Sequence, residues 1–319
     1  MKYLSVCSGI EAASVAWHGL GWEPVAFSEI DPFASAVLAA RFPHVPNLGN
    51  MEAHASWPIE PGSVDVLVGG TPCQSFSVAG LRKGLDDPRG NLALVYLGLV
   101  DRLRPRWTVW ENVPGVLSVD GGRAFGSIVG ALVECGYSVA WRVLDAQYFG
   151  VPQRRRRVFV VGYLGDGTRA AEVLFEPASV RRNLASSRDE REKAAGATQG
   201  SAESIAKTLT AGGYRLDPET ENLLPIAFHA TQDPISGSVS PCLSREPSGA
   251  IGVATAATVR RLTPRECERL QGFPDDWTAI EYRGKPAADG PRYKALGNSM
   301  AVNVMRWIGE RLSAVHRKT

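Results

Sequence analysis

The sequence is short of the patterns that build metal and disulfide sites. Its five cysteines (Cys7, Cys73, Cys135, Cys242, Cys267) are scattered over 319 residues with no CxxC pair. That distribution argues for reduced thiols and against a disulfide framework or a zinc site. The five histidines form no HxxxH or CxxH spacing, so no metal is expected. No run of about 18 apolar residues occurs, which excludes an expected membrane-spanning helix. The opening MKYLSVCSGIEAAS has one Lys and no long apolar stretch, so no secretory leader is expected and a cytoplasmic setting follows. Lysine is scarce, 7 against 28 arginines, and the net charge of +2 announces no polyanionic partner by itself. Arg binds phosphate and guanine bidentately, but a GC-rich genome yields the same bias. With 44% hydrophobic and 21% charged residues, the chain can bury a sizeable core, and dominant disorder is excluded.

What is present is an alternation of strand-like and helix-like segments. Residues 2–6, 24–28, 64–69, 107–111, 137–144 and 157–163 read as strands; 11–17, 32–41, 91–103 and 123–135 read as helices. This rhythm predicts an α/β fold with a doubly wound sheet over 1–164. Residues 165–257 break it, being rich in Ala, Ser, Gly, Thr and Pro, with a hydrophilic run at 183–204. Short strands are expected near 225–230 and 249–253. Helical signal returns in 258–319, where Thr263-Pro264-Arg265-Glu266 has a capping-box layout and 301–315 is amphipathic.

Several places in this frame can carry chemistry. Gly9 lies in a strand-to-helix turn, where α/β sheets hold nucleotide-like ligands, and Glu29 ends the next strand. There is no GxGxxG, which suits a cofactor without phosphates, or an ordinary turn. Cys73 follows VDVLVGGTP, at the carboxyl end of a buried strand. It reads as a nucleophile or as a small buried hydrophobe. Glu111 closes the apolar strand WTVWE, where a carboxyl is costly unless used or paired. Desolvation would make it a proton donor; anchoring a loop is the other reading. Gln153 is followed by four arginines, and strand alternation points Arg155 and Arg157 one way and Arg154 and Arg156 the other. Gly297-Asn298-Ser299 reads as the cap of the last helix.

The order of these pieces resembles the DNA cytosine-C5 methyltransferase family, including its small phage and prophage members. The similar stretches are SVCSGIEA with Glu29, GGTPCQSFS, DDPRGNL, ENVPG, VPQRRRRVFVVG, RRLTPRECERLQGFPDDW and YKALGNSMAVNV. They cover most of 1–164 and 258–316. The resemblance implies a class I, Rossmann-like methyltransferase fold and methyl transfer from S-adenosylmethionine to C5 of a flipped-out cytosine. It implies Cys73 attack at C6, Glu111 at N3 and the exocyclic amine, and Arg155 and Arg157 on the O2 side. S-adenosylhomocysteine would be the product, and no metal is involved.

For the cofactor, the resemblance implies Cys7, Ser8, Gly9 and Ile10 in the first turn, Glu29 on the ribose and Ile30 on the adenine. Asn50 and Met51 would meet the adenine edge, Pro72 and Leu92 would flank the site, and Asn298 and Ser299 would complete it. Ser75–Arg89 would be a mobile loop closing over DNA. Residues 165–257 would form the target-recognition domain, with Arg215 and Arg245 the favoured base readers. The partners implied are double-stranded DNA and a cognate restriction endonuclease, for a monomer in a bacterial cell, phage- or prophage-encoded. Two departures stand out: Asn50 replaces a usual Asp, and Glu11-Ala12 replace usual glycines. The competing readings are a tRNA cytosine-C5 methyltransferase, a thiol hydrolase pairing Cys73 with His229 and Asn298, and a nucleic-acid binder with a dead site.

Overall fold

The computed structural model describes residues 1–72, 92–165, 167–176, 226–229, 251–254 and 259–318. Cys73, the expected closing loop and most of the 165–257 insert, Arg215 and Arg245 included, lie outside the described residues.

The expected alternation is present. β1 (Lys2–Val6), α1 (Ala12–Trp17), β2 (Glu23–Ser28), α2 (Pro32–Arg41) and β3 (Val66–Gly69) come first. α3 (Leu92–Leu103), β4 (Trp107–Asn112), α4 (Arg123–Glu134), β5 (Tyr137–Asp145) and β6 (Arg156–Leu164) follow. The six strands form one sheet in the order β2-β1-β3-β4-β6-β5. β2, β1, β3 and β4 run parallel, while β6 lies antiparallel between β4 and β5. The reversal has a simple cause. Only residues 146–155, with a 3-10 turn at Ala146–Phe149, join β5 to β6. A parallel neighbour would need a crossover of about a dozen residues or more, usually a helix.

Both faces of the sheet are covered, which is why its central strands are apolar at nearly every position. Tyr3, Val66, Val68, Trp107 and Val109 face one core, shared with α1 and α2. Leu4, Val6, Leu67 and Trp110 face the other, shared with α3 and α4. α5 (Arg169–Leu174) and the C-terminal helices α6 (Pro264–Gln271), α7 (Asp289–Asn298) and α8 (Val302–His316) lie on the first face. Beyond the main sheet, Ile226–His229, Ile251–Ala254 and Val259–Arg261 pair as a small antiparallel sheet.

The capping box of α6 forms as expected, with Thr263 and Glu266 bonding each other's backbone. The Gly297–Ser299 reading is corrected. Asn298 is the last residue of α7, and Ser299 leaves that helix with its N–H still bonded to Ala295 O at 3.1 Å. The cap position of α8 is Ala301, which has no side chain to serve it. Helical pattern runs straight through YKALGN, so the small polar pair closes one helix instead of opening the next.

The return of the C-terminal stretch onto the first turn is tight. Trp17 Nε1 donates to Met305 O at 2.8 Å, and Trp277 Nε1 donates to Ile10 O at 2.9 Å. A Cβ placed on Gly309 would fall 2.4 Å from the fully buried Trp17 indole. Gly309→Ala is therefore expected to lower stability by about 1–3 kcal/mol, although Ala in a helix interior is normally favoured over Gly by about 1 kcal/mol. Denaturant unfolding reads the sign: an Ala variant more stable than the parent would show that α1 and α8 are not packed this closely.

Candidate active site

The site is built at the carboxyl ends of β1, β3 and β4, the edge at which α/β sheets place ligands. β3 runs out through Gly69, Gly70, Thr71 and Pro72 towards Cys73. Gly69 has no room for a side chain, because a Cβ would sit 2.8 Å from Val6 O on β1. At Gly70 a Cβ would lie 2.9 Å from Glu111 Oε2. The end of β4 staples this turn in place. Trp110 Nε1 donates to Thr71 Oγ1 at 2.9 Å, and Asn112 Nδ2 donates to Thr71 O at 3.0 Å. The chain is thus held against the end of β4 as far as Thr71, two residues before Cys73.

Glu111 is buried, and its Oε1 forms an ion pair with Arg157 Nε at 3.1 Å. Burial pushes its carboxyl above the ordinary carboxylate range, while Arg155 and Arg157 pull in the opposite direction. The result is an acid that keeps its proton at higher pH than a solvated Glu, beside a fixed cation. The alternation expected of the arginine run is observed: Arg155 is buried and Arg157 half-buried, whereas Arg154 and Arg156 are exposed. Arg155 Nη2 donates to Ser299 O at 2.6 Å and to Gly297 O at 3.3 Å. It ties the α7–α8 junction to the catalytic edge.

The first turn is unusual. Cys7, Gly9 and Glu11 all have left-handed backbone, with φ of 47°, 57° and 66°. Gly9 N donates to Glu29 Oε2 at 2.7 Å, while Glu29 Oε1 accepts from Ile30 N and Asp31 N at 2.8 and 2.7 Å. Glu29 is therefore fixed by three backbone donors. Ile30 beside it is 68% exposed, an apolar side chain left open at the sheet edge. Met51 is buried, and its Sδ accepts from Cys7 Sγ at 3.4 Å. Burial, helped by Glu29, pushes the Cys7 thiol up to about 12, so it is inert near neutral pH.

The first turn, Gly70, Glu111 and the α7–α8 junction line one cleft, whereas Glu29, Ile30, Asn50, Met51, Arg155 and Arg157 stand outside its lining. Of the residues expected from sequence, it brings together Cys7, Ser8, Gly9, Glu111, Asn298 and Ser299. Ile10 lies beneath it, fully buried, with its carbonyl under Trp277. Pro72 is exposed and Leu92 half-buried; neither lines the cleft. Sequence reasoning missed Ser5, Val68 and Met300, which carry no chemical signature, and passed over Glu11, which also lines it. A carboxyl two residues after the turn glycine was the available signal. Among the described residues, no group of three or more His, Cys, Asp or Glu is placed to hold a metal ion, and no helix is long and apolar enough to cross a membrane.

A family model for C-5 cytosine-specific DNA methylases matches residues 1–314. The chain belongs to that family. A DNA N-6-adenine-methyltransferase of Escherichia phage P1 is 39% identical over 98% of this chain, which spans 61% of that relative's length. The type II methyltransferase M2.BsuMI of Bacillus subtilis is 33% identical, covering 98% of this chain and 75% of the relative. Among solved structures, the Schizosaccharomyces pombe Dnmt2 methyltransferase superposes with a TM-score of 0.64 at 18% identity, covering 98% of this chain and 99% of that one. At that identity the likeness shows the fold alone. The methylase family's α/β architecture agrees with the mostly parallel sheet described above.

Proposed function

We propose that this methylase transfers a methyl group to C5 of a cytosine flipped out of a specific double-stranded DNA sequence. The observation that carries the reading is Glu111. It is a buried carboxyl with a raised pKa, ion-paired to Arg157 and packed against the turn that leads into Cys73. Such a pair suits a ring that must accept a proton or hydrogen bond on one side and negative charge on the other. Cys73 supplies the thiolate for C6. Glu111 faces N3 and the amine, and Arg157 holds the O2 side. Arg155, spent on the Gly297 and Ser299 carbonyls, positions the junction that closes the cleft. A base stacked in a duplex cannot reach this buried edge, so the target must leave the helix, at a cost of a few kcal/mol.

The donor set also fits S-adenosylmethionine. A Cβ on Gly9 would meet nothing within 4 Å, so that turn opens onto free space. Glu29 keeps acceptor capacity on Oε2 for a ribose hydroxyl, and the exposed Ile30 offers a flat apolar contact for a purine. When bound, the cofactor supplies an activated methyl group. Residues 165–257, which interrupt the catalytic set, are assigned to reading the DNA sequence.

The test is base-resolved sequencing of DNA from expressing cells, with mass spectrometry of nucleosides from their DNA and RNA. The expected result is 5-methylcytosine at one DNA motif. N6-methyladenine instead, as the name of the phage P1 relative suggests for that protein, overturns the assignment, as does modification confined to RNA.

Asn50 yields a sharper prediction. An Asp there was expected to accept the adenine amine more strongly. However, Asn50 Nδ2 donates to Glu52 Oε2 at 3.0 Å, while its Oδ1 accepts from Glu52 N at 3.0 Å. Asn50→Asp alone would set two carboxylates against each other, so little gain is expected. In a Glu52→Gln background the same change should tighten cofactor binding by about 1 kcal/mol. Calorimetry on the single and double variants decides; equal affinities would remove Asn50 from the adenine edge.

A further inference from the structure

Three buried glutamates differ in how their charge is answered. Glu268 has Arg292 at 3.3 Å and Thr278, and Glu111 has Arg157. Glu11, fully buried, has no cation within ion-pair distance among the described residues. Its Oε1 accepts from Ser14 N and Ser14 Oγ, both at 3.1 Å, while its Oε2 is buried in the cleft wall and makes no well-formed hydrogen bond, the Ser5 hydroxyl lying close enough to pull the carboxyl's pKa down without pairing with it. It also occupies a left-handed backbone position, with φ 66° and ψ 64°, where Gly would be easier. An orphaned carboxylate oxygen at a strained position is costly on two counts. The first cost is relieved if a cationic donor enters the cleft.

The chemistry of that donor follows from the cleft, given the methyltransferase reading on which this inference rests. The adenosine end of the cofactor belongs with Glu29 and Ile30, on one side of the Gly9 turn. The transferable methyl belongs with Gly70 and Glu111, at the catalytic edge. The remaining wall, Glu11 with Ala12 and Ala13 and, across from the first turn, Asn298, Ser299 and Met300, is left for the amino-acid end, and Glu11 is its one ionisable side chain. A sulfonium carries no N–H and cannot satisfy Oε2; an ammonium can. We propose that Glu11 receives the α-ammonium of the cofactor's amino-acid end.

Burial pushes the Glu11 carboxyl up to about 7, with Glu29 adding to the rise and the Ser5 and Ser14 hydroxyls opposing it. The ionisable groups around it are Tyr3 (through Ser14 Oγ at 2.5 Å), Cys7, Glu29 and Glu111 with its arginine. Tyr3 and Cys7 keep their protons well above neutrality. An ammonium favours ionised Glu11, so at about pH 6.5 ligand binding should release a proton.

The experiment is calorimetry on the full chain with S-adenosylhomocysteine, whose sulfur is neutral, and with 5′-methylthioadenosine, which lacks the amino-acid end. Glu11→Gln keeps an oxygen for the Ser14 cap but loses the charge. It should weaken S-adenosylhomocysteine by about tenfold or more and change 5′-methylthioadenosine by less than about twofold. The parent, run at pH 6.5 in buffers of different ionisation enthalpy, should show proton release with the first ligand only, and the variant should show none. This second measurement needs no variant to fold. Undiminished binding by Glu11→Gln, equal losses for both ligands, or no proton release by the parent would overturn the assignment. A parent that binds neither ligand would overturn the methyltransferase reading along with it.

Discussion

Cys73→Ser is expected to leave no measurable methyl transfer, and DNA carrying 5-fluorocytosine at the target is expected to trap the parent protein as a covalent adduct on Cys73. The attacking species at C6 is a thiolate, and a Ser hydroxyl at its ordinary pKa is a far weaker nucleophile. Fluorine at C5 cannot leave as the proton does, so the bond from sulfur to carbon persists. The structure makes the mapping informative, because a second cysteine, Cys7, lines the cleft beside Glu111. Burial pushes Cys7 and Cys267 up to about 12 and raises Cys135, so none of these three thiols is poised to react near neutral pH. Peptide mapping that finds the adduct on Cys7, or normal turnover by the Ser variant, would reverse the assignment.

Glu111→Gln should reduce the rate of methyl transfer by about 10²- to 10⁴-fold with a much smaller effect on cofactor affinity, since the amide keeps the shape but cannot give up a proton. The pH profile carries the sign. A carboxyl whose pKa is raised in the folded protein stays protonated above the ordinary carboxylate range and loses its proton as pH rises through the folded value. Activity that needs the acid form falls on the alkaline side, while the Cys73 thiolate fraction rises with pH. The parent should therefore show a bell, and Glu111→Gln a low, monotonic rise. An alkaline limb that survives in the Gln variant belongs to another group. The same linkage makes the buried acid, whose arginines do not fully offset its burial, a stability cost at high pH, so the Gln variant should melt no lower than the parent at pH 8.

Much of the fold was legible because its signals are local. The strand rhythm, the Pro-led start of α2 and the Thr263–Glu266 capping box depend on residues close in sequence. The conserved-looking order of short motifs pointed to the methylase family without any coordinates. Local signals also misled where two elements adjoin. Gly297-Asn298-Ser299 has the composition of a cap, yet the packing of α7 carries the helix through it. The direction of β6 was equally invisible, since an apolar strand reads the same both ways and only the length of the β5–β6 link forces it to turn back.

The sequence by itself determined which elements form, which residues carry reactive groups and in what order they come. The tertiary structure alone decided which of them meet. Arg155 and the carbonyls of Gly297 and Ser299 are more than 140 residues apart and touch because α8 packs on α1. Glu111 became an acid through burial, which outweighs the opposing pull of Arg155 and of Arg157 on a neighbouring antiparallel strand. Glu11 looked like a mere departure from a glycine. Its significance lies in an oxygen that burial deprives of water and that no cation among the described residues answers. Burial and long-range charge are properties of the assembled chain, because solvent is excluded only when distant segments close around a group; no local stretch of sequence encodes them.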